Sequence, residues 1–326
     1  MVTESLVLYS HEDISGRINL REGETKLGEN VQTVSSLDDL STCTARFVIL
    51  GIPEDIGIAA NQGIAGASTT WEPALKALLN MQENDFLPGA ELLILGYFRF
   101  PALSSVESEY LYDTVSDIDD QVYPLIQQII LAKKVPVIIG GGHNNAYPII
   151  KGFSRALGSK VNVLNIDAHA DLRPTIGRHS GNAFSYAIQD GFLEKYAVFG
   201  LQQSYLTKYM QDVIRDNSNI SVSYFEDLLG DGNVQASWNN FSSAFTEPLG
   251  LEIDLDALHN VLSSATSPSG FSVDEIRRIL LTQGKKLSYL HLAEAAVDLV
   301  DGRRSVSTAK LIAHLVVDFI KCQRRL

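Results

Sequence analysis

Two cysteines in 326 residues, Cys43 and Cys322, stand far apart and in no metal or redox spacing. They exclude a disulfide scaffold, and such sparse thiol usage suits a reducing cytosol. Basic residues are also scarce: 26 Lys and Arg oppose 39 Asp and Glu, a net charge of −13. So acidic a chain is a poor partner for nucleic acid or an anionic membrane. No apolar run approaches the ~20 residues that a membrane helix requires. The opening MVTESLVLYSHEDISG has no basic start leading into a sustained apolar stretch, so no secretory leader is expected. These absences point to a soluble, cytoplasmic protein. Hydrophobic residues at 45% leave material for a full core, and charged residues at 20% argue against disorder.

What is present is a series of short apolar, β-branched runs. RFVILGI (46–52), ELLILGY (91–97), VPVIIGG (135–141) and VNVLNID (161–167) are followed by YAVFGLQ (196–202), ISVSYFE (220–226), GLEIDLD (250–256) and LSYLHLAEA (287–295). Most are apolar on both faces, as strands buried in a parallel sheet should be. Helical patterns lie between them: WEPALKALLNM, VYPLIQQIILAKK, NAYPIIKGFSRALG, SVDEIRRILLTQG and TAKLIAHLVVDFIK. The alternation predicts an α/β fold with eight strands and helices on both faces of one sheet. No linker or repeat divides the chain, so one domain is expected over residues 46–326. Residues 1–45, more polar and less regular, form an N-terminal elaboration.

Three polar clusters sit where these runs end. GGGHNN (140–145) offers His143, DAHAD (167–171) offers Asp167, His169 and Asp171, and EIDLDAL (252–258) offers Asp254 and Asp256. Carboxyl ends of strands line the ligand crevice of an open α/β sheet, so the clusters should converge. Alternate residues of a strand share a face, which would set Asp254 beside Asp256 and Asp167 beside His169. Ionised carboxylates so placed repel each other and cost several kcal/mol each on burial unless neutralised. Four aspartates balance two divalent cations. An oxygen-rich set with two imidazoles suits Mn²⁺ better than a closed zinc site. A lone DxD or GGGH carries little weight, because loop carboxylates are mostly solvated and glycines mostly mark turns. Three clusters in this order, each after an apolar run, carry much more. Nucleotide binding fails as a rival: Asn145 occupies the third glycine position of G-x-G-x-x-G, and no P-loop lysine follows.

From LGIPEDIG (50–57) to the C-terminus the chain resembles the ureohydrolase (arginase–agmatinase–formimidoylglutamase) superfamily, whose GGxH, DAHxD and DxD segments match GGGH, DAHAD and EIDLD. The resemblance implies a three-layer α/β/α sandwich around an eight-stranded, mainly parallel sheet. It implies two Mn²⁺ per subunit, one held by His143, Asp167, Asp171 and Asp254, the other by His169, Asp167, Asp254 and Asp256. It further implies hydrolysis of an amidine or guanidine C–N bond, with Asp256 carrying a proton to the leaving amine and Glu294, in HLAEAAV, pairing with the substrate cation. Relatives of this kind assemble as trimers or hexamers, so a homo-oligomer is expected.

Within the superfamily, DLRP (171–174), HSGNAFSYA (179–187) and GLQQSYLT (200–207) resemble the formimidoylglutamase branch. Arg173 would then meet the glutamate part of N-formimidoyl-L-glutamate, and Ser180 and Asn182 align with residues contacting the amino-acid end of arginase substrates. Departures are present as well. Phe184 stands where arginases carry a proton-shuttling histidine, Leu206 where the branch has Asn, and Ala296-Val297 where Asn-Pro follows the glutamate. His179, near the missing histidine and titratable near neutrality, is a candidate replacement. The alternatives are another ureohydrolase, releasing urea from arginine, agmatine or a guanidino acid, and a catalytically silent relative.

Overall fold

Apolar residues that alternate between two faces set the centre of the molecule. In the computed structural model of the chain, residues 5–101 and 107–326 are described, and they include nine strands in one sheet. These are β1 (Leu6–Leu8), β2 (Phe47–Gly51), β3 (Leu92–Phe98), β4 (Val135–Ile139), β5 (Val161–Ile166), β6 (Leu193–Leu201), β7 (Ile220–Tyr224), β8 (Leu249–Asp254) and β9 (Tyr289–Ala293). Each of the eight apolar runs overlaps a strand. The ninth, β1, corrects the expected count. Its three half-buried residues pair antiparallel with Gly96–Phe98 of β3, and a segment that short has no readable period. All other pairings are parallel.

The three-layer expectation holds. Phe47 and Ile49 of β2 pack with helices Trp71–Leu79, Val273–Thr282 and Thr308–Gln323 on one face. Val48 and Leu50 pack with Ser108–Leu131 and Ala146–Leu157 on the other. Each large side chain so buried stabilises the fold by about 1.5–3 kcal/mol. The helix Ser108–Leu131 begins well before the predicted VYPLIQQIILAKK, because its acidic first half hides the buried stripe Leu111, Val115 and Ile118. The N-terminal segment, described from residue 5, lies along the sheet edge. Gln32 donates to the Leu92 carbonyl (2.8 Å) and accepts from the Ile94 N–H (3.0 Å). Among the described residues, no helix is long and apolar enough to cross a membrane.

Strand order places the chemistry. The sheet runs β1-β3-β2-β4-β9-β8-β5-β6-β7, so β9 and β8 separate β4 from β5. Strands β1, β2 and β3 precede β4 on one side, and after crossing to β5 the chain grows outward on the other through β6 and β7, which makes this the switch point where α/β sheets open a crevice. The carboxyl ends of β4, β9, β8 and β5 are neighbours there.

Candidate active site

After β4 the backbone turns through Gly140 (φ +88°) and Gly141 (φ +80°), a conformation that side chains disfavour. A Cβ on Gly141 would also stand 2.5 Å from the Ile52 carbonyl. This turn delivers His143, wholly buried, to the centre of the crevice. Its Nδ1 lies 3.3 Å from Asp167 Oδ2, 3.1 Å from Asp171 Oδ2 and 3.2 Å from Asp254 Oδ2. A second group overlaps the first: His169 Nδ1 lies 3.2 Å from Asp256 Oδ2 and 3.7 Å from Asp167 Oδ1. All six residues expected to hold metal therefore meet in two clusters that share Asp167.

The route to convergence differs from the strand-face argument. β5 ends at Ile166 and β8 at Asp254, so His169 and Asp256 are not on strands. Instead each aspartate folds the next turn onto itself. Asp167 Oδ1 accepts the His169 N–H (2.7 Å), and Asp254 Oδ1 accepts the Asp256 N–H (2.9 Å). Asp171 adopts a left-handed φ of +48°, a conformation uncommon outside glycine that is found at functional sites.

The residues present fit divalent cations. Neither ring nitrogen of His143 makes a well-formed hydrogen bond, and buried Asp256 Oδ1 has no partner among the described residues. Oxygen-to-nitrogen edges of 3.1–3.3 Å match neighbours at right angles around an ion with bonds of roughly 2.1–2.3 Å. Protein groups alone relieve the crowding only by taking up protons. Burial pushes the Asp167 carboxyl up to about 6 and Asp254 well above the usual carboxylate range, with neighbouring carboxylates adding to both. Burial opposes protonation of His143 and His169, yet the aspartates around them drive both well above the ordinary imidazole value. Cations relieve the same crowding without protons.

A pocket of about 200 Å³ opens over the clusters. Its floor includes His169, Asp171, Asp254, Asp256 and Glu294, and its walls include Arg173, Ser180 and Tyr205. Glu294 follows β9 with φ +67°, and its Oε1 accepts the His143 backbone N–H (2.8 Å). Burial, reinforced by Asp256 and Asp171, raises its carboxyl to about 8. Ser180 Oγ accepts from Asn61 Nδ2 (3.2 Å). Tyr205 lies flat on the His169 ring, centroids 4.7 Å apart. Arg173 is exposed at the mouth, and its guanidinium has no hydrogen bond or ion pair among the described residues.

Two expected site residues are placed elsewhere. Asn182 is absent from the pocket wall and fully engaged: Nδ2 donates to the Gly177 (2.7 Å) and Pro174 (3.2 Å) carbonyls, while Oδ1 accepts from Arg178 Nη1 (2.9 Å) and the His179 N–H (3.1 Å). Such self-satisfying polar side chains are common in loops. His179 also lies outside the wall. Its Nδ1 accepts the Gly181 N–H (3.1 Å), capping the turn Ser180–Asn182, and burial lowers its imidazole to about 4. The placement outside the pocket lining gives the proton-carrier expectation no support. Phe184 is buried, its ring edge-to-face with His143 at 5.2 Å.

Sequence reading missed the residues behind the clusters. Asn165 donates to Asp167 Oδ2 (2.9 Å) and to Tyr196 Oη (3.0 Å). Buried Glu54 accepts the Gly142 N–H (3.0 Å) and Asn145 Nδ2 (2.7 Å), bracing the glycine turn. Glu252 approaches His143 from the far side. Burial opposes its ionisation, but His291 and His143 outweigh that and hold its carboxyl down at about 2. Asn165 and Glu252 each precede an aspartate ligand candidate by two residues, a signal available in the sequence.

Comparison with known proteins agrees with this architecture. The model of the arginase family matches residues 45–321. Formimidoylglutamase from Macrococcus caseolyticus is 27% identical over 325 residues, covering 95% of this chain and 96% of the relative. The Hahella chejuensis formimidoylglutamase is 29% identical over 268 residues, covering 78% and 75%. Among solved structures, Trypanosoma cruzi formiminoglutamase with Mn²⁺ superposes with a TM-score of 0.71 at 20% identity, covering 91% of this chain and 97% of that one. The formimidoylglutamase from Bacillus subtilis gives 0.73 at 16% identity, covering 94% of each. The chain belongs to the arginase family. By class it is a hydrolase acting on C–N bonds of amidine-type groups.

Proposed function

We propose that the chain is a binuclear-metal formimidoylglutamase, converting N-formimidoyl-L-glutamate and water to glutamate and formamide. The observation that carries this reading is the pocket's polarity: an acidic floor suited to an amidinium, and at the mouth a cation, Arg173, that has no partner among the described residues and is suited to a carboxylate. The names of the curated relatives support it.

His143, Asp167, Asp171 and Asp254 would hold one ion, and His169, Asp167, Asp254 and Asp256 the other. The oxygen-rich set favours Mn²⁺. Such ions would supply Lewis-acid chemistry, lowering the pKa of water so that it is a nucleophile near neutral pH. Glu294, with Oε1 held by His143, turns Oε2 to the amidinium and orients it over the floor. Asp256 Oδ1, without another partner among the described residues, takes the proton from the attacking water and passes it to the leaving glutamate nitrogen. Arg173 and Ser180 bind the carboxylate end. The cytoplasmic setting and trimeric or hexameric assembly belong to the same reading.

The test is a panel of amidines and guanidines assayed after Mn²⁺ loading. Formamide and glutamate should appear from formimidoylglutamate, with little urea from arginine or agmatine. Urea release without formamide activity overturns the substrate. No product from any member of the panel makes the chain a silent relative.

A further inference from the structure

Glu252 and His291 are fully buried ionisable residues to which the reading above gives no task. They sit opposite each other on adjacent strands β8 and β9. Glu252 Oε2 lies 2.6 Å from His291 Nδ1, and Oε1 accepts the Tyr289 hydroxyl (2.8 Å). The same Oε2 is 3.5 Å from His143 Nε2, on the side of that ring away from the three aspartates.

His143, Glu252 and His291 could be taken for a third metal site. The 2.6 Å separation of Glu252 and His291 argues against it. Two donors at right angles on one ion with bonds of about 2.1 Å stand roughly 3 Å apart. A contact of 2.6 Å is a charge-assisted hydrogen bond.

We propose that Glu252, clamped by His291 and Tyr289, is a positioning residue that attracts the Nε2–H of His143 across 3.5 Å, with no other partner at that nitrogen among the described residues, and thereby turns the bare Nδ1 of that imidazole toward the cation. The inference rests on the proposed reading that His143 and its three aspartates hold a divalent ion. A carboxylate behind a ligating histidine selects its tautomer, fixes its ring and raises its basicity. β8 therefore supplies Asp254 to the front of the site and, two residues earlier, the support for His143 at the back. The effect is confined to one ion, because the group of Asp167, His169 and Asp256 does not include Glu252.

The experiment titrates the metal-stripped full chain with Mn²⁺ against a competing chelator, and with Co²⁺ followed by its visible spectrum. Wild type, Glu252→Gln, His291→Gln and Tyr289→Phe are compared, with near-UV circular dichroism as the check on folding. Glu252→Gln should weaken one of the two bound equivalents by about 10–100-fold and leave the other within about threefold. The Co²⁺ spectrum of the affected equivalent should shift. His291→Gln should weaken the same equivalent by less. Unchanged affinities, or an equal loss at both equivalents, overturn the proposal. If Glu252→Gln does not fold, the other two variants decide by the same criterion. A wild-type chain that takes up neither ion overturns the reading of the site itself and this inference with it, an outcome distinct from a silent variant.

Discussion

Arg178 and Asp119 form a buried ion pair at 2.7 Å, and close by the aspartates around His143 crowd together with histidine as their only ionic partner among the described residues. The two assemblies touch: Arg178 Nη2 donates to the carbonyl of Asn144, the residue after His143 (2.9 Å). Arg178 closes its own account, with Nε and Nη2 on Asp119, Nη1 on Asn182, and its guanidinium over the Tyr147 and Tyr186 rings at 4.7 and 5.0 Å. The aspartate cluster has surplus negative charge and unpartnered buried atoms. Both are buried and both are ionic. Balance distinguishes a brace from a site.

Breaking the unbalanced side should have the largest effect. Asp254→Asn is expected to lower kcat/KM by more than about 10²-fold and to reduce bound metal, since it removes a direct ligand where even outer residues matter 10–100-fold. Its metal-free form should unfold at equal or higher urea concentration, because a repelling buried carboxylate is gone. A large loss of metal-free stability would erase the contrast. Breaking the balanced side should do the reverse. Arg178→Met strands a buried carboxylate and should cost about 3–5 kcal/mol in urea unfolding.

The mouth of the pocket sharpens the comparison further. Arg173→Met should raise KM for an amidine carrying a carboxylate by about 10–100-fold with kcat nearly unchanged, and leave an uncharged amidine unaffected. A smaller effect is expected from pH. Glu294, raised from 4.5 to about 8, stabilises the fold fully below 4.5 and loses that contribution as pH rises through 8. His143 and His169, raised above 6.5, have the same sign. His179, lowered to about 4, has the opposite sign, but its contribution is complete above 6.5. The melting temperature of metal-free protein should therefore fall as pH rises from 6.5 through 8, and divalent metal should flatten that slope. The smallest effect is assigned to His179→Ala: loss of a cap worth about 0.5–2 kcal/mol, with the pH profile of kcat unmoved. A shifted profile would return His179 to the chemistry.

Legibility in the sequence followed the range of the interactions. Strands buried on both faces leave uninterrupted apolar runs, so eight were readable, whereas β1 is too short to show a period. Metal-ligand candidates were readable because they sit directly after those runs. Asn182 and His179 lie outside the pocket lining and serve their own loop backbone, which a motif cannot show because it records residue types and not whether a side chain is already engaged. The pairing of Arg178 with Asp119 spans 59 residues and leaves no local trace.

By itself, then, the sequence determined the layers, the strand ends and the types of donor group, all of which depend on local periodicity and spacing. Tertiary structure alone decided which strands became neighbours, which carboxylates shared an imidazole, and that Glu252 would stand behind it. Those outcomes depend on contacts between segments far apart in the chain, where electrostatic balance is settled by three-dimensional distance.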